Sequence, residues 1–197
     1  MSAKHFNIAD LFEIVADTVP EREAIACGDE RRSYAALEER ATRLANFMSA
    51  RGVAAGDKVG LYMYNCNAYI EGMLACFKIR AVPVNVNYRY VDEELSYIFN
   101  NADMVACIHH REFAPHIHKV RSAAPGIRLL IAVEDGSTQP LPADTVELEA
   151  AVAQGSPERA FGERSDDDLF ILYRLAARLG LRANWNRTVN GAASPKT

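Results

Sequence analysis

Apolar positions along the chain follow first one period and then another. From Asn7 to Val19, Ile8, Leu11, Phe12, Val15 and Ala16 recur at intervals of three and four, which predicts an amphipathic helix that Pro20 closes. AIAC at 24–27, the turn GDE and RRSY then read as a short β pair. Ser33 is placed to cap a helix in which Leu37, Ala41, Leu44 and Met48 form one stripe and Arg51-Gly52 supplies the stop. The charged opposite face of that helix predicts a position on the outside of a sheet. Between Lys58 and Asn87 the period changes twice: KVGLYMYN is rich in β-formers, CNAYIEGMLACFKIRA is helix-spaced, and VPVNVN is a second β-branched run. That order and length predict a right-handed βαβ unit.

A further α and β pair follows. Residues 91–101 open with Asp92, Glu93 and Glu94, which favour the positive end of a helix dipole, and carry Leu95, Ile98 and Phe99 on one face. MVACI at 104–108 reads as the third strand, 112–122 as a helix despite Pro115, and RLLIAV at 128–133 as the fourth strand. Residues 134–142 read as loop, 145–153 as a short helix, and 155–168 as polar and exposed. LFILY at 169–173 has the character of a strand buried on both faces. Strands alternating with helices predict an α/β fold with a mainly parallel sheet flanked by helices.

Composition changes this picture at one place. The chain is 49% hydrophobic and 24% charged, which suits one globular domain with an ordinary core. Its net charge of -4 is too small to point to nucleic acid, but it is unevenly spread. Five basic residues (Arg174, Arg178, Arg182, Arg187 and Lys196) and no acidic one lie between Arg174 and Thr197. The other 17 basic and 26 acidic side chains put residues 1–173 at -9. Cys27, Cys66, Cys76 and Cys107 are widely spaced and form no CxxC pair, which argues against a zinc ribbon or a thioredoxin-like site and for reduced thiols. The amino-terminal apolar stretch is interrupted by Asp10, Glu13 and Asp17, unlike a signal peptide, and no run reaches the length of a membrane span. A cytoplasmic protein is expected.

The pieces NIADLFEIVADTVPEREAIACGD, SYAALEERATRLA, VPVNVNYRY followed by EEL, and DDDLFILY resemble, in order and spacing, the N-terminal part of the AMP-forming acyl-CoA synthetases of the adenylate-forming superfamily. The resemblance covers roughly residues 7–173 and is most specific in SYAALEERATRLA and in VPVNVNYRY followed by EEL, the latter looking most like ligases for long-chain or sterol-side-chain acids. It implies residues 1–173 as an incomplete N-terminal subdomain of that fold and residues 174–197 as an unrelated basic tail. The reaction it implies is ATP-dependent conversion of a carboxylic acid to an acyl adenylate and then to acyl-CoA, with ATP, Mg²⁺ and coenzyme A as the cofactors of the full-length family.

The family's phosphate loop, glycine-rich and of the type T-[SG]-G-[ST]-T-G-x-P-K-G, directly follows the strand matched by LFILY, and the catalytic lysine comes much later. This chain reads RLAARLGLRANWNRTVNGAASPKT there, with Gly180 and Gly191 eleven residues apart. A phosphate cradle needs neighbouring glycines so that successive N–H groups can turn inward. Pro195-Lys196 has no glycine-rich run before it. No family catalytic, cofactor-binding or metal residue is therefore carried over, and no cofactor is expected for these residues alone. A truncated, inactive synthetase is the first expectation. A non-catalytic interaction module that binds an acyl ligand or pairs with a full-length synthetase, or one half of a split enzyme with a complementary chain, are the alternatives.

Four other groupings have candidate chemistry. His109, His110, His116 and His118, with Glu112 nearby, lack the i, i+4 spacing of a zincin and read as a strand end and a polar surface helix. Asp166, Asp167 and Asp168 point in divergent directions and read as a solvated turn. Tyr88, Arg89 and Tyr90 follow a strand at the carboxyl edge of the sheet, where α/β proteins bind ligands, but read first as loop aromatics packed on a neighbouring helix. Arg174, Arg178 and Arg182 beside Leu175 and Leu179 suggest an acidic partner or membrane surface only weakly, because the pattern lasts about two turns, and read first as an unselected tail from a shifted frame.

Overall fold

The computed structural model describes residues 7–165 and, for the backbone, 171–172. Helix α1 (Ile8–Thr18) begins at Asn7, whose side chain accepts the Ala9 N–H while Asp10 accepts the Asn7 N–H, a reciprocal cap. Strands β1 (Glu23–Cys27) and β2 (Glu30–Ser33) form the antiparallel hairpin, and Ser33 caps α2 (Tyr34–Ala50) through the Ala36 N–H. The central unit is β3 (Lys58–Tyr62), α3 (Asn67–Lys78) and β4 (Val82–Asn85). It is followed by α4 (Asp92–Asn101), β5 (Met104–His110), α5 (Ala114–Val120) and β6 (Leu129–Val133).

Two expectations are corrected here. Thr145–Glu147 is a strand, β7, and helix α6 is only Leu148–Gln154. The β-branched Thr145 and Val146 extend the sheet by pairing in parallel with Leu130 and Ile131. The helix expected over 112–122 is a short α5 with a 3-10 turn at each end. Pro115 in its first turn has no N–H to extend hydrogen bonding backward. Ile171–Leu172, inside the expected LFILY strand, form β8 parallel to Val84 and Asn85; the side chains of 169–173 lie outside the described residues.

Six strands form one parallel sheet in the order β7-β6-β5-β3-β4-β8. One face packs on α2, α3 and α6 through Leu44, Met48, Leu61, Ile108 and Ile131. The other packs on α4 and α5 through Tyr62, Leu95, Ile98, Met104 and Leu130. Gly72 lets α3 lie close to the sheet: a Cβ there would meet Ile108 Cδ1 at 3.0 Å and Leu61 Cδ2 at 3.1 Å. At the end of α6, a Cβ on Gly155 would lie 1.9 Å from the Arg43 carbonyl oxygen of α2.

The polar face of α2 is not simply solvated, contrary to expectation. Glu38 and Thr42 are buried, because Lys78 at the end of α3 lies fully buried between α1 and α2. Lys78 Nζ donates to Glu13 Oε1 at 2.5 Å and to Glu38 Oε1 at 2.6 Å. Segment 156–165, expected to be exposed, closes this network. Arg159 pairs with Glu38 and Asp17, and Arg164 pairs with Glu13 and Asp10 and donates to the Lys78 carbonyl. These partners hold the Glu13 carboxyl below its usual range against the opposing effect of burial.

Removing one member of a buried ion pair leaves the other charge desolvated. Lys78→Met should therefore lower the urea-unfolding free energy by on the order of 3 kcal/mol. Lys119→Met, which removes an exposed partner of Asp92, should cost less than about 1 kcal/mol. Equal costs for the two would contradict the clasp.

Candidate functional site

The chain lays down β3, crosses to β4 on one side, and then crosses to β5 on the other. The connections therefore leave in opposite directions at the carboxyl ends of β3 and β5, and in open α/β sheets that crevice is where ligands bind. Tyr64, Cys66, His109 and His110 lie there. The sequence reading placed its sheet-edge candidates one strand away, at Tyr88–Tyr90. The structure brings the two places together, with the Tyr64 and Tyr88 rings 4.8 Å apart. Strand order is a long-range property, so no local pattern pointed to Tyr64 and Cys66.

His110 is 6% exposed, and its Nδ1 accepts the backbone N–H of Tyr64 at 3.2 Å. In the neutral ring this places the proton on Nε2, which lies 3.6 Å from Cys66 Sγ. Burial lowers the His110 pKa, against the raising effect of Asp135 and Glu112. Cys66 is the N-cap of α3, yet its side chain makes no cap hydrogen bond, and burial pushes its thiol up. His109 is fully buried and donates from Nδ1 to the His110 carbonyl oxygen at 2.9 Å, while its Nε2 has no hydrogen-bond partner among the described residues. Burial brings its pKa down to about 4.

An aromatic wall stands over this pair. Tyr62 packs on Phe113 at 4.6 Å, and its hydroxyl donates to the Tyr90 carbonyl at 2.6 Å; burial raises its phenol pKa. Tyr64 meets Phe113 edge-on at 5.3 Å, and a hydrogen bond with Glu112 raises its phenol pKa. Tyr64 and Tyr88 are 43% and 40% exposed, so the wall faces solvent. A neutral imidazole, a protonated thiol and stacked phenols form a surface suited to binding, and they provide neither a strong base nor an activated nucleophile.

The remaining candidates disperse. The surface placement expected for His109 and His110 is overturned, because β5 is covered on both faces at its carboxyl end. His116 Nδ1 pairs with Asp92 at 3.1 Å on the α5 side, and His118 is exposed. Tyr90 packs against the α4 cluster as expected, whereas Tyr88 stacks on Tyr64 with the Arg89 guanidinium 5.5 Å from its ring. Asp166, Asp167, Asp168, Arg174, Arg178, Arg182 and Pro195-Lys196 lie outside the described residues. All four cysteines are free, with Cys76 and Cys107 buried. Among the described residues no group of three His, Cys, Asp or Glu could hold a metal ion. Their glycines are also dispersed, so these residues do not fit ATP·Mg²⁺ as a phosphate cradle.

Comparison with known proteins adds a family to this geometry. The model described as AMP-binding enzyme matches residues 12–173. The chain is 51% identical over 168 residues to the 3-oxocholest-4-en-26-oate–CoA ligase of Rhodococcus rhodochrous, a match covering 85% of this chain and 30% of that protein. A medium/long-chain-fatty-acid–CoA/3-oxocholest-4-en-26-oate–CoA ligase of Mycobacterium tuberculosis (strain ATCC 25618 / H37Rv) is 48% identical over 168 residues, with 85% and 31% covered. Among solved structures, a putative long-chain-fatty-acid CoA ligase from Rhodopseudomonas palustris superposes with a TM-score of 0.77 at 24% identity, over 90% of this chain and 44% of that one. That likeness concerns the fold. The chain thus spans about a third of the length of the curated relatives it matches.

The buried histidines generate a pH dependence. Their folded pKa values lie below the free value, so between pH 6.5 and about 4 the unfolded chain binds protons that the native chain does not. Stability should fall as the pH is lowered through that window and level off below the folded values. For His109 the loss is on the order of 3 kcal/mol when complete. Urea unfolding at pH 6.5 and 4.5 should show the decline in the natural chain and a smaller one in His109→Asn. A flat profile would show that His109 is not buried neutral.

Proposed function

We propose, for a chain that belongs to the AMP-binding enzyme family, that it forms the N-terminal parallel-sheet portion of an acyl-CoA ligase acting on a fatty or sterol-side-chain acid. The observation behind this is the 51% identity over 168 residues to a ligase whose name specifies 3-oxocholest-4-en-26-oate. In the reaction, a carboxylate oxygen attacks the α-phosphorus of ATP, pyrophosphate leaves, and an acyl adenylate forms. The thiol of coenzyme A then attacks the acyl carbon, losing its proton as AMP departs. Mg²⁺ neutralises phosphate charge in such steps.

These 197 residues do not perform that chemistry alone. Where the family places glycines close together, Arg174–Thr197 has Gly180 and Gly191 far apart. No residue of the described sheet is assigned to ATP or coenzyme A. The relatives contain the matching segment within single chains about three times as long, which favours catalysis by groups joined in one chain over a separate complementary chain. The reading implies a cytoplasmic location, where ATP and coenzyme A are available. Among the described residues no helix is long and apolar enough to cross a membrane.

The purified chain should give no ATP–pyrophosphate exchange with a long-chain fatty acid or with 3-oxocholest-4-en-26-oate. A chimera joining residues 1–173 to the part of the Rhodococcus rhodochrous ligase that follows the matching strand should regain exchange with the sterol acid. Robust exchange by the chain alone would overturn the claim of inactivity. A folded chimera with no exchange would count against a ligase scaffold.

A further inference from the structure

We propose that Cys27 and Cys66 form a thiol–disulfide exchange site that takes a low-molecular-weight disulfide as its oxidant and latches the β1–β2 hairpin onto the start of α3. These are the two half-buried cysteines, whereas Cys76 and Cys107 lie in the core. Both line one cleft, together with Glu30, Asn67 and His110. The inference is independent of the ligase reading.

Two contacts hold the end of the hairpin against the residues on either side of Cys66. Cys27 and Glu30 face each other across the hairpin. Cys27 Sγ donates to the Asn65 carbonyl oxygen at 3.6 Å, and Glu30 Oε2 accepts from Asn67 Nδ2 at 3.1 Å. The Asn65 carbonyl carbon is bonded to the Cys66 nitrogen, so standard backbone dimensions put Cys27 Sγ within about 6 Å of that nitrogen. The thiols also sense each other: burial is the main cause of the raised Cys66 pKa, and charge on Cys27 adds to it. A disulfide joins Cα atoms about 4.4–6.8 Å apart. Forming one here asks for rotation of Cys66 Sγ away from His110 Nε2 and a small closing movement of the hairpin.

The difference in access sets the order of steps. The Cys27 contact with Asn65 lies at the surface, whereas the contacts of Cys66 are partly buried. Cys27 therefore attacks the incoming disulfide first, as its thiolate. A bond forms from Cys27 Sγ to one sulfur of the oxidant, the oxidant's S–S bond breaks, and its other half leaves and takes up the proton that Cys27 gave up. Cys66 then attacks Cys27 Sγ, which forms the internal bridge and expels the second half, and the proton of Cys66 goes to that leaving thiolate. Two protein thiols are oxidised and one disulfide is reduced to two thiols. The bridge withdraws Cys66 Sγ from the His110 Nε2–H, 3.6 Å away in the reduced chain, and leaves that donor facing the cleft.

Hydroxyethyl disulfide, small and uncharged, is the probe. It is incubated with the full native chain, free thiols are blocked with iodoacetamide, and peptides are mapped by mass spectrometry. The natural chain should yield one internal bridge, from Cys27 to Cys66. Cys66→Ser should stop at one mercaptoethanol on Cys27, and Cys27→Ser should react about tenfold more slowly than the natural chain. Mercaptoethanol on both cysteines with no bridge, a bridge to Cys76 or Cys107, or no reaction at Cys27 would each overturn the proposal. The natural chain alone decides whether the bridge forms, even if a serine variant fails to fold.

Discussion

The architecture depends on one fully buried charge. Lys78 ends α3 with its ammonium removed from water, and a lone ammonium in that position would cost several kcal/mol. Glu13 from α1 and Glu38 from α2 supply the compensation, and Thr42 donates to the same Glu38 oxygen at 3.0 Å. Two arginines from segment 156–165 then balance the carboxylates. Helices far apart in sequence are thus fixed to one another by electrostatic necessity. The strap that leads to the last strand of the sheet is held by the same group.

That clasp and the close packing at Gly72 act on the same face of the sheet. Gly72 brings α3 down onto β3 and β5, and the clasp binds α1 and α2 over α3. The sheet can then keep a reversal of direction between β3 and β5, and the crevice at that reversal is filled by Tyr64, Cys66 and His110. Burial there pushes histidines and thiol alike toward their neutral forms. The result is a binding wall, consistent with a chain that covers about 30% of the relatives' length and holds no described phosphate cradle.

Periodicity made the helices α1 to α4 and the strands β3 to β6 legible, because each carries a full apolar face in consecutive residues. The resemblance of SYAALEERATRLA and VPVNVNYRY to the acyl-CoA synthetases was legible for the same reason: it lies in local wording. Contacts across long sequence separations were not. Thr145–Glu147 reads as helix in isolation and becomes a strand only because β6 offers it a free edge. Glu38 looks like surface charge until Lys78 and Arg159 are brought to it. Tyr64 and Cys66 gain significance only from the strand order.

Amide hydrogen exchange on the natural chain, followed by mass spectrometry, tests the clasp most directly because it reports each segment separately. Helix α1 and the hydrogen-bonded amides beside the clasp should be protected to the same degree as α2 and α3, and β3, β5 and β6 should exchange slowest of all. If α1 exchanges within seconds while α2 and α3 stay protected, Lys78 does not hold these elements together and the account fails at its base.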